Sequence, residues 1–278
     1  MKCLFKNFKT RKASTLLLSI MLIIFSKVNF AGAPFLTDDP VPLNSKQWEI
    51  FLFTIFDKNN DLFLEPDLFA PAIEINYGPL DDLQLHAIVP YAWSLPNAAP
   101  PANGLGDIEV GVKYRFIRET SKQPQVGFAP LLELPSGNVY QNLGNGIPWV
   151  KLPVWAQKSW GKWTTYGGTG YAINTAPGML NYFYTGWLLQ RKLKESLTLG
   201  SEIFYQGAIT ADGNASVILN VGGFYNFNKN FSLLFTAGHS IAGQNHLVGY
   251  LGLYWTFGKV YSPPTSHRRG GRIFFAEH

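Results

Sequence analysis

A serine that could pair with a histidine is the first arrangement in this chain with chemistry in it, and two such pairs can be proposed: His86 with Ser94, and Ser240 beside His239. A hydroxyl activated by an imidazole, with a third group orienting the ring, is the machinery of acyl transfer. The spacing argues against both pairs. Neither serine stands in a G-x-S-x-G elbow, and adjacent residues on a strand, as His239 and Ser240 would be, point to opposite faces. His86, His239 and His246 are widely separated, without H-x-x-x-H or Cys/His spacing, so no metal site is expected. "TDDP" (37–40) offers two adjacent carboxylates that could hold Ca²⁺, but its place ahead of the first strand predicts a turn or a plug-like segment instead. "YGGTGY" (166–171) and "GLGDIE" (104–109) lack the full G-x-G-x-x-G pattern and precede strands, which excludes a nucleotide loop. The expectation is no catalytic residue and no cofactor.

The remaining chemistry is ionic, and it is patterned. In "GDIEVGVKYRF" (106–116), Ile108, Val110, Val112, Tyr114 and Phe116 alternate with Asp107, Glu109, Lys113 and Arg115. Side chains on a strand alternate between faces, so the charges share one face and the apolar strip owns the other. The same reading places Glu74, His86, Asp107, Glu109, Lys113, Arg115, Glu133, Arg191 and Glu202 on the non-lipid face of a membrane barrel, as candidates to line its lumen. Such a lumen is either a charge-lined pathway or a packed interior whose charges pair with one another. An ion buried without a partner costs roughly several kcal/mol, so pairing is required in both cases.

The elements that must position these residues are strands. Segments bounded by Gly, Pro, Asn or Asp clusters recur at 46–57, 69–77, 82–93, 106–118, 123–134, 147–159, 162–174, 181–192, 195–208, 215–227, 230–239 and 246–257. That is an even number, most of them near the ~9–11 residues a tilted membrane strand needs. Alternation repeats in them: Leu83, Leu85, Ala87, Val89, Tyr91 and Trp93 oppose Gln84 and His86, and Ile73, Ile75 and Tyr77 oppose Glu74 and Asn76. No long amphipathic helical pattern interrupts the series, which argues against βαβ architectures.

Aromatic residues gather at the predicted strand ends, at Tyr91 and Trp93, Trp160 and Trp163, Tyr182 and Trp187, and Tyr254 and Trp255, as at headgroup level in a membrane. The connections differ in kind. "SWGKW" (159–163), "RKLKES" (191–196) and "NFNKNF" (226–231) read as tight turns, whereas 94–106 and 135–146 are long. An up-and-down barrel with both ends in the periplasm produces that alternation, and a Greek-key sandwich has no reason to.

The first 33 residues read as a secretory signal peptide: five positive charges in "MKCLFKNFKTRK", an apolar run too short to span a bilayer, then small residues at "AGAP". Removing them takes away six of the 23 Lys and Arg and leaves 17 against 18 Asp and Glu. The overall charge of +5 is therefore a property of the leader, and no nucleic-acid partner is expected. Cys3, the chain's one cysteine, leaves too, so the exported protein can form no disulfide. No later apolar run reaches helix-spanning length, so residence in a membrane demands a closed barrel.

"GAPFLTDDP" (32–40), "INYGPLDDLQLHAIVP" (75–90), "GLGDIEVGVKYRF" (104–116), "QPQVGFAPLLELPSGN" (123–138), "WAQKSWGKWTTYGGTGY" (155–171) and "GWLLQRKLKESLTLGSEIF" (186–204) carry a resemblance. Across nearly the whole mature chain they resemble a family of Gram-negative outer-membrane transporters whose domain is named for a MetA pathway of phenol degradation. The resemblance implies an outer-membrane barrel of about a dozen strands and the movement of small molecules. One departure stands out: such barrels finish on a strand ending in an aromatic residue, yet 259–278 follow "YLGLYWTFG" (250–258). Either those residues are a tail, or "RIFFAEH" completes the barrel and the strand count changes.

The expected fold is all-β, an antiparallel up-and-down transmembrane β-barrel of about 12 strands. Residues 1–33 are the signal peptide, 34–258 the barrel with a short N-terminal segment, and 259–278 a basic tail. Its expected partners are outer-membrane lipid, a small-molecule solute and, during biogenesis, the barrel-assembly machinery. The expected function is passive passage of small solutes, aromatic or hydrophobic compounds among them. The alternatives are a barrel enzyme acting on lipid and a closed structural barrel.

Overall fold

A computed structural model describes residues 33–59, 67–95 and 100–258. Residues 1–32, read above as part of a signal peptide, and the segment 259–278 lie outside the described residues. Fourteen strand segments follow one another: β1 (Gln47–Asn59), β2 (Asp67–Leu80), β3 (Leu83–Leu95), β4 (Ala102–Leu105), β5 (Ile108–Ile117), β6 (Gln125–Phe128), β7 (Leu131–Leu134), β8 (Trp149–Trp160), β9 (Trp163–Ile173), β10 (Tyr182–Lys194), β11 (Leu197–Gln206), β12 (Ser216–Asn226), β13 (Phe231–Gly243) and β14 (His246–Gly258). Each is antiparallel to its neighbours. β4 and β5 both lie on β3 and form one stave, and β6 and β7 form the next, between β5 and β8. The segments therefore make 12 staves, as the sequence predicts.

β14 pairs with β1 from Gln47↔Gly258 to Asn59↔His246, and this closes the cylinder. "RIFFAEH" is not needed for closure. A closed ladder satisfies the backbone groups that lipid cannot. The two broken staves have local causes. Pro130 has no N–H for the ladder; around it Ala129 N donates to Pro153 O (3.2 Å), and Pro130 O accepts from Val112 N (3.1 Å). At the other break Gly106 N donates to Pro90 O (3.0 Å).

One end of the cylinder carries tight turns. Gly161 takes a φ of 59°, in the left-handed region that glycine enters freely, between β8 and β9. Asp82, with a φ of 68°, makes the β2–β3 turn and holds the Arg115 and Arg118 guanidiniums, the former at 2.8 Å. Partial burial disfavours its charge, but the hydrogen bonds from Arg118 and Arg115 prevail and hold its carboxyl below the usual range. The chain enters β1 and leaves β14 at this same end. At the other end, 135–148, 174–181 and 207–215 are longer loops.

The outward positions are the alternating apolar residues of the sequence. Tyr114, Leu251 and Val221 are 52%, 53% and 58% exposed, and Ile73, Ile75, Leu85, Val89, Ile203 and Leu219 stand out beside them. An apolar face running round the whole molecule would drive association in water; in a bilayer it is the solvated face. Aromatic contacts rim it. Trp48 and Tyr77 lie 4.3 Å apart and Phe231 and Trp255 4.8 Å apart near the tight turns, with Tyr91 and Trp93 4.8 Å apart at the other end. Three of the expected rim residues stand elsewhere. Tyr254 and Tyr182 occupy inward positions, Tyr254 donating to Glu49, and Trp187 faces outward at mid-strand.

Val221, at the middle of β12, gives a direct check of this polarity. Val221→Arg is expected to destabilise the barrel in phospholipid vesicles by about 2–4 kcal/mol in denaturant titration, the cost of a cation at the bilayer midplane. In a water-exposed sheet the same change would stay within about 0.5 kcal/mol.

The lumen as candidate functional site

The inward positions carry two kinds of side chain. Glu49, Asn76, Gln84, Glu109, Lys113, Glu202 and Asn220 are polar and buried; Phe51, Phe53, Trp155, Tyr166, Tyr184, Phe204 and Tyr254 are aromatic and buried. They face the inside of a tube and are buried because the tube is filled.

What fills it is the chain's own segment 33–46, ahead of β1. Thr37 and Asp39 have no exposed surface, and Phe35, Val41 and Leu43 are buried. Three prolines, at 34, 40 and 42, restrict its backbone and lower the entropy lost on docking. It crosses the lumen and touches widely separated staves. Pro34 O accepts from Thr236 Oγ1 on β13 (3.0 Å), and Phe35 packs with Tyr166 and Leu188 on β9 and β10. The amides of Leu36 (3.1 Å) and Thr37 donate to the Glu202 carboxylate on β11. Lys113 Nζ on β5 lies 2.9 Å from Asp38 Oδ1 and 3.7 Å from Asp39 Oδ1. Leu43 N donates to Gln84 Oε1 on β3 (3.0 Å), and Lys46 N to Gly78 O on β2 (2.6 Å) before β1 begins. Close approach requires small wall residues: a Cβ on Gly186 would meet Thr37 Oγ1 at 2.0 Å, and one on Gly127 would meet Pro40 Cβ at 3.0 Å. "TDDP" is thus the plug-like segment of the sequence analysis, and its carboxylates face an ammonium.

Above the insert the charges form a second network. Lys151 Nζ sits 3.1 Å from Glu109 Oε2 and 3.3 Å from Glu133 Oε1, and 4.8 Å from the Trp149 ring centroid. His86 Nε2 lies 2.8 Å from Glu109 Oε1; its Nδ1 lies 3.0 Å from Asn76 Oδ1 and 3.3 Å from Glu74 Oε1. Lower down, Glu49 accepts from Tyr254 (2.5 Å), and Glu202 also accepts from Asn220 (2.7 Å). Each basic group is shared between two carboxylates, which meets the pairing requirement of buried ions.

Of the predicted lumen residues, the structure brings Glu74, His86, Glu109, Lys113, Glu133 and Glu202 together inside, with Arg115 at the turn end on Asp82. Two stand elsewhere. Asp107 belongs to no strand; its carboxylate accepts from Gly137 N (2.9 Å) and Asn145 N (2.6 Å) and ties down the long loop. Arg191 is on the outer face, opposite Leu199, with its guanidinium 5.0 Å from the Trp163 centroid. It lies near the tight turns, where a long cationic side chain can reach the headgroups from the lipid side. Lys151 and Glu49 are lumen residues that the sequence reading passed over. Lys151 was readable, since Val150, Leu152 and Val154 alternate with it; Glu49 was not, because "EIFLF" (49–53) is apolar on both faces.

Between the insert and the long-loop end lies a cavity of about 350 Å³. Phe35, Phe53, Ile55, Leu131 and Tyr250 form its apolar wall, and Asp38, Asp57, Glu74, His86, Glu109 and Lys113 its polar part. Phe53 and Tyr250 stack with centroids 5.1 Å apart.

Three comparisons bear on this geometry. The COG4313 outer membrane channel from Pseudomonas putida F1 is similar in fold, with a TM-score of 0.64 at 15% identity over 79% of this chain and 98% of that one. The KdgM porin in complex with disordered oligogalacturonate gives 0.54 at 11% identity over 75% and 99%, and the NanC porin 0.52 at 8% over 74% and 98%. No curated protein matches in sequence. The family profile described as "Putative MetA-pathway of phenol degradation" matches residues 57–257, nearly the whole barrel wall. The chain belongs to that family.

Proposed function

We propose that this protein is an outer-membrane channel for the passive passage of small aromatic or hydrophobic solutes. On this reading residues 1–33 are removed on export, 34–258 form the barrel and its insert, and 259–278 extend beyond it. The tight turns face the periplasm and the long loops the exterior, as in bacterial outer-membrane barrels generally. Outer-membrane lipid surrounds the apolar face, and the barrel-assembly machinery inserts it.

The observation that carries the proposal is how the lumen is filled. Residues 33–45 belong to no strand. They are held by ion pairs, side-chain hydrogen bonds and apolar contacts, so they can leave without opening the barrel's ladder. A structural barrel would have no need of a removable filling. The fold of channels and porins, and a family named for the breakdown of an aromatic compound, agree with passage of such solutes.

Among the described residues, neither of the two Ser–His pairs considered from the sequence forms. The ring nitrogens of His86 are engaged by Asn76, Glu74 and Glu109, and His239 Nδ1 faces Ser240 O at 2.6 Å rather than its hydroxyl. Ser240 Oγ accepts instead from His246 N. Liposomes containing the purified barrel are expected to take up small aromatic alcohols faster than protein-free liposomes, with no release of fatty acid from their own lipid. Uptake equal to protein-free liposomes would refute passage, and lipid hydrolysis would establish the alternative.

A further inference from the structure

The cavity above the insert has a charge sense that the family description does not suggest. Four carboxylates reach its lining, Asp38, Asp57, Glu74 and Glu109, against one lysine and one histidine. The bases behind the lining do not restore balance: Lys151 is divided between Glu109 and Glu133, and His246 sits on Asp57 at 2.8 Å. Beside the carboxylates, on the adjoining β14 and β1, stands the stacked pair Tyr250 and Phe53, and Phe35 of the insert lines the same cavity. Ring faces attract cations and repel anions. The volume, about 350 Å³, falls at the small end of ligand cavities, where one or two rings fit.

We propose that this cavity binds small organic cations, an aryl or alkyl body bearing a protonated amine, with the amine among Glu74, Glu109 and Asp38 and the apolar body against Phe53 and Tyr250. The inference deepens the channel reading by giving the solute a charge. It also explains why the insert presents Asp38 to the cavity, since an arriving cation competes with Lys113 for that carboxylate and loosens the contact that holds the insert.

The test is calorimetric titration of the purified barrel in detergent with three compounds of similar shape: 2-phenylethylammonium, 2-phenylethanol and 3-phenylpropanoate. The cation is expected to bind about tenfold or more tighter than the alcohol, and the anion to give no binding heat. Glu74→Gln is expected to weaken the cation about tenfold and leave the alcohol unchanged. Asp57→Asn, at the more exposed rim, serves as the second variant should the first fail to fold. Equal or tighter binding of the alcohol or the anion, cation binding indifferent to both substitutions, or no binding of any of the three would overturn the site. Because no transport is measured, the result separates from the uptake experiment. Uptake of neutral solutes without cation binding defeats this inference alone, whereas cation binding without uptake supports the site and defeats the channel.

Discussion

Lys113→Met is expected to open the lumen. The lysine is 8% exposed along its side chain and faces Asp38 and Asp39, and the Asp39 side chain has no exposed surface. Removing one member of a buried ionic set leaves the other charges uncompensated, which costs about 3–5 kcal/mol. A barrel wall fixed by a closed ladder cannot relax to relieve that cost, but a segment outside the ladder can. The docked state of the insert should therefore lose roughly 100-fold or more in population relative to the undocked state. Liposome uptake should rise accordingly, and trypsin should cleave at Lys46 in the variant at protease levels that spare the parent. The triple variant Lys113→Met/Asp38→Asn/Asp39→Asn removes the stranded charges and should return both readouts toward the parent. A single variant with parental uptake and protease resistance would show that the ionic contacts do not hold the insert.

The contrast between wall and insert also explains what could be read in advance. The wall repeats a rule every two residues, so its pattern is local: the outward Ile73, Ile75, Leu85, Val89, Leu219 and Val221 each announced their face within a few positions. Closure followed from the strand number and from the need to satisfy every backbone group in lipid. Rules of alternation weaken where both faces are wet or both are apolar. Alternation predicts Arg191 inward, yet it stands on the outer face at the membrane rim, where charge no longer distinguishes the faces. Glu49 was missed because its stave is apolar on both sides, the inner side filling a lumen packed with aromatic rings. The insert had no period at all. Its partners lie far off in the sequence, Glu202 being 165 positions from Thr37 and Lys113 75 positions from Asp38, and no local pattern encodes such contacts. "TDDP" could suggest a plug, but not the lysine that receives it.

The same contrast defines the central claim: the wall is permanent, and the segment 33–46 decides whether solute passes. A reversible tether tests it. A Cβ on Gly186 would lie 3.1 Å from Thr37 Cβ, and disulfides join Cβ atoms about 3.5–4.5 Å apart, so Thr37→Cys/Gly186→Cys asks the insert to move by a few tenths of an ångström. Cys3, the chain's one cysteine, is replaced by serine so that no other thiol competes. Uptake of 2-phenylethanol into liposomes is measured before and after reduction, with the bridge confirmed by a mobility shift on non-reducing gels. The account predicts uptake close to protein-free liposomes while the bridge is intact, and a rise of about tenfold or more on reduction. Equal uptake in the bridged and reduced states would mean that solute passes with the insert in place, and would contradict it.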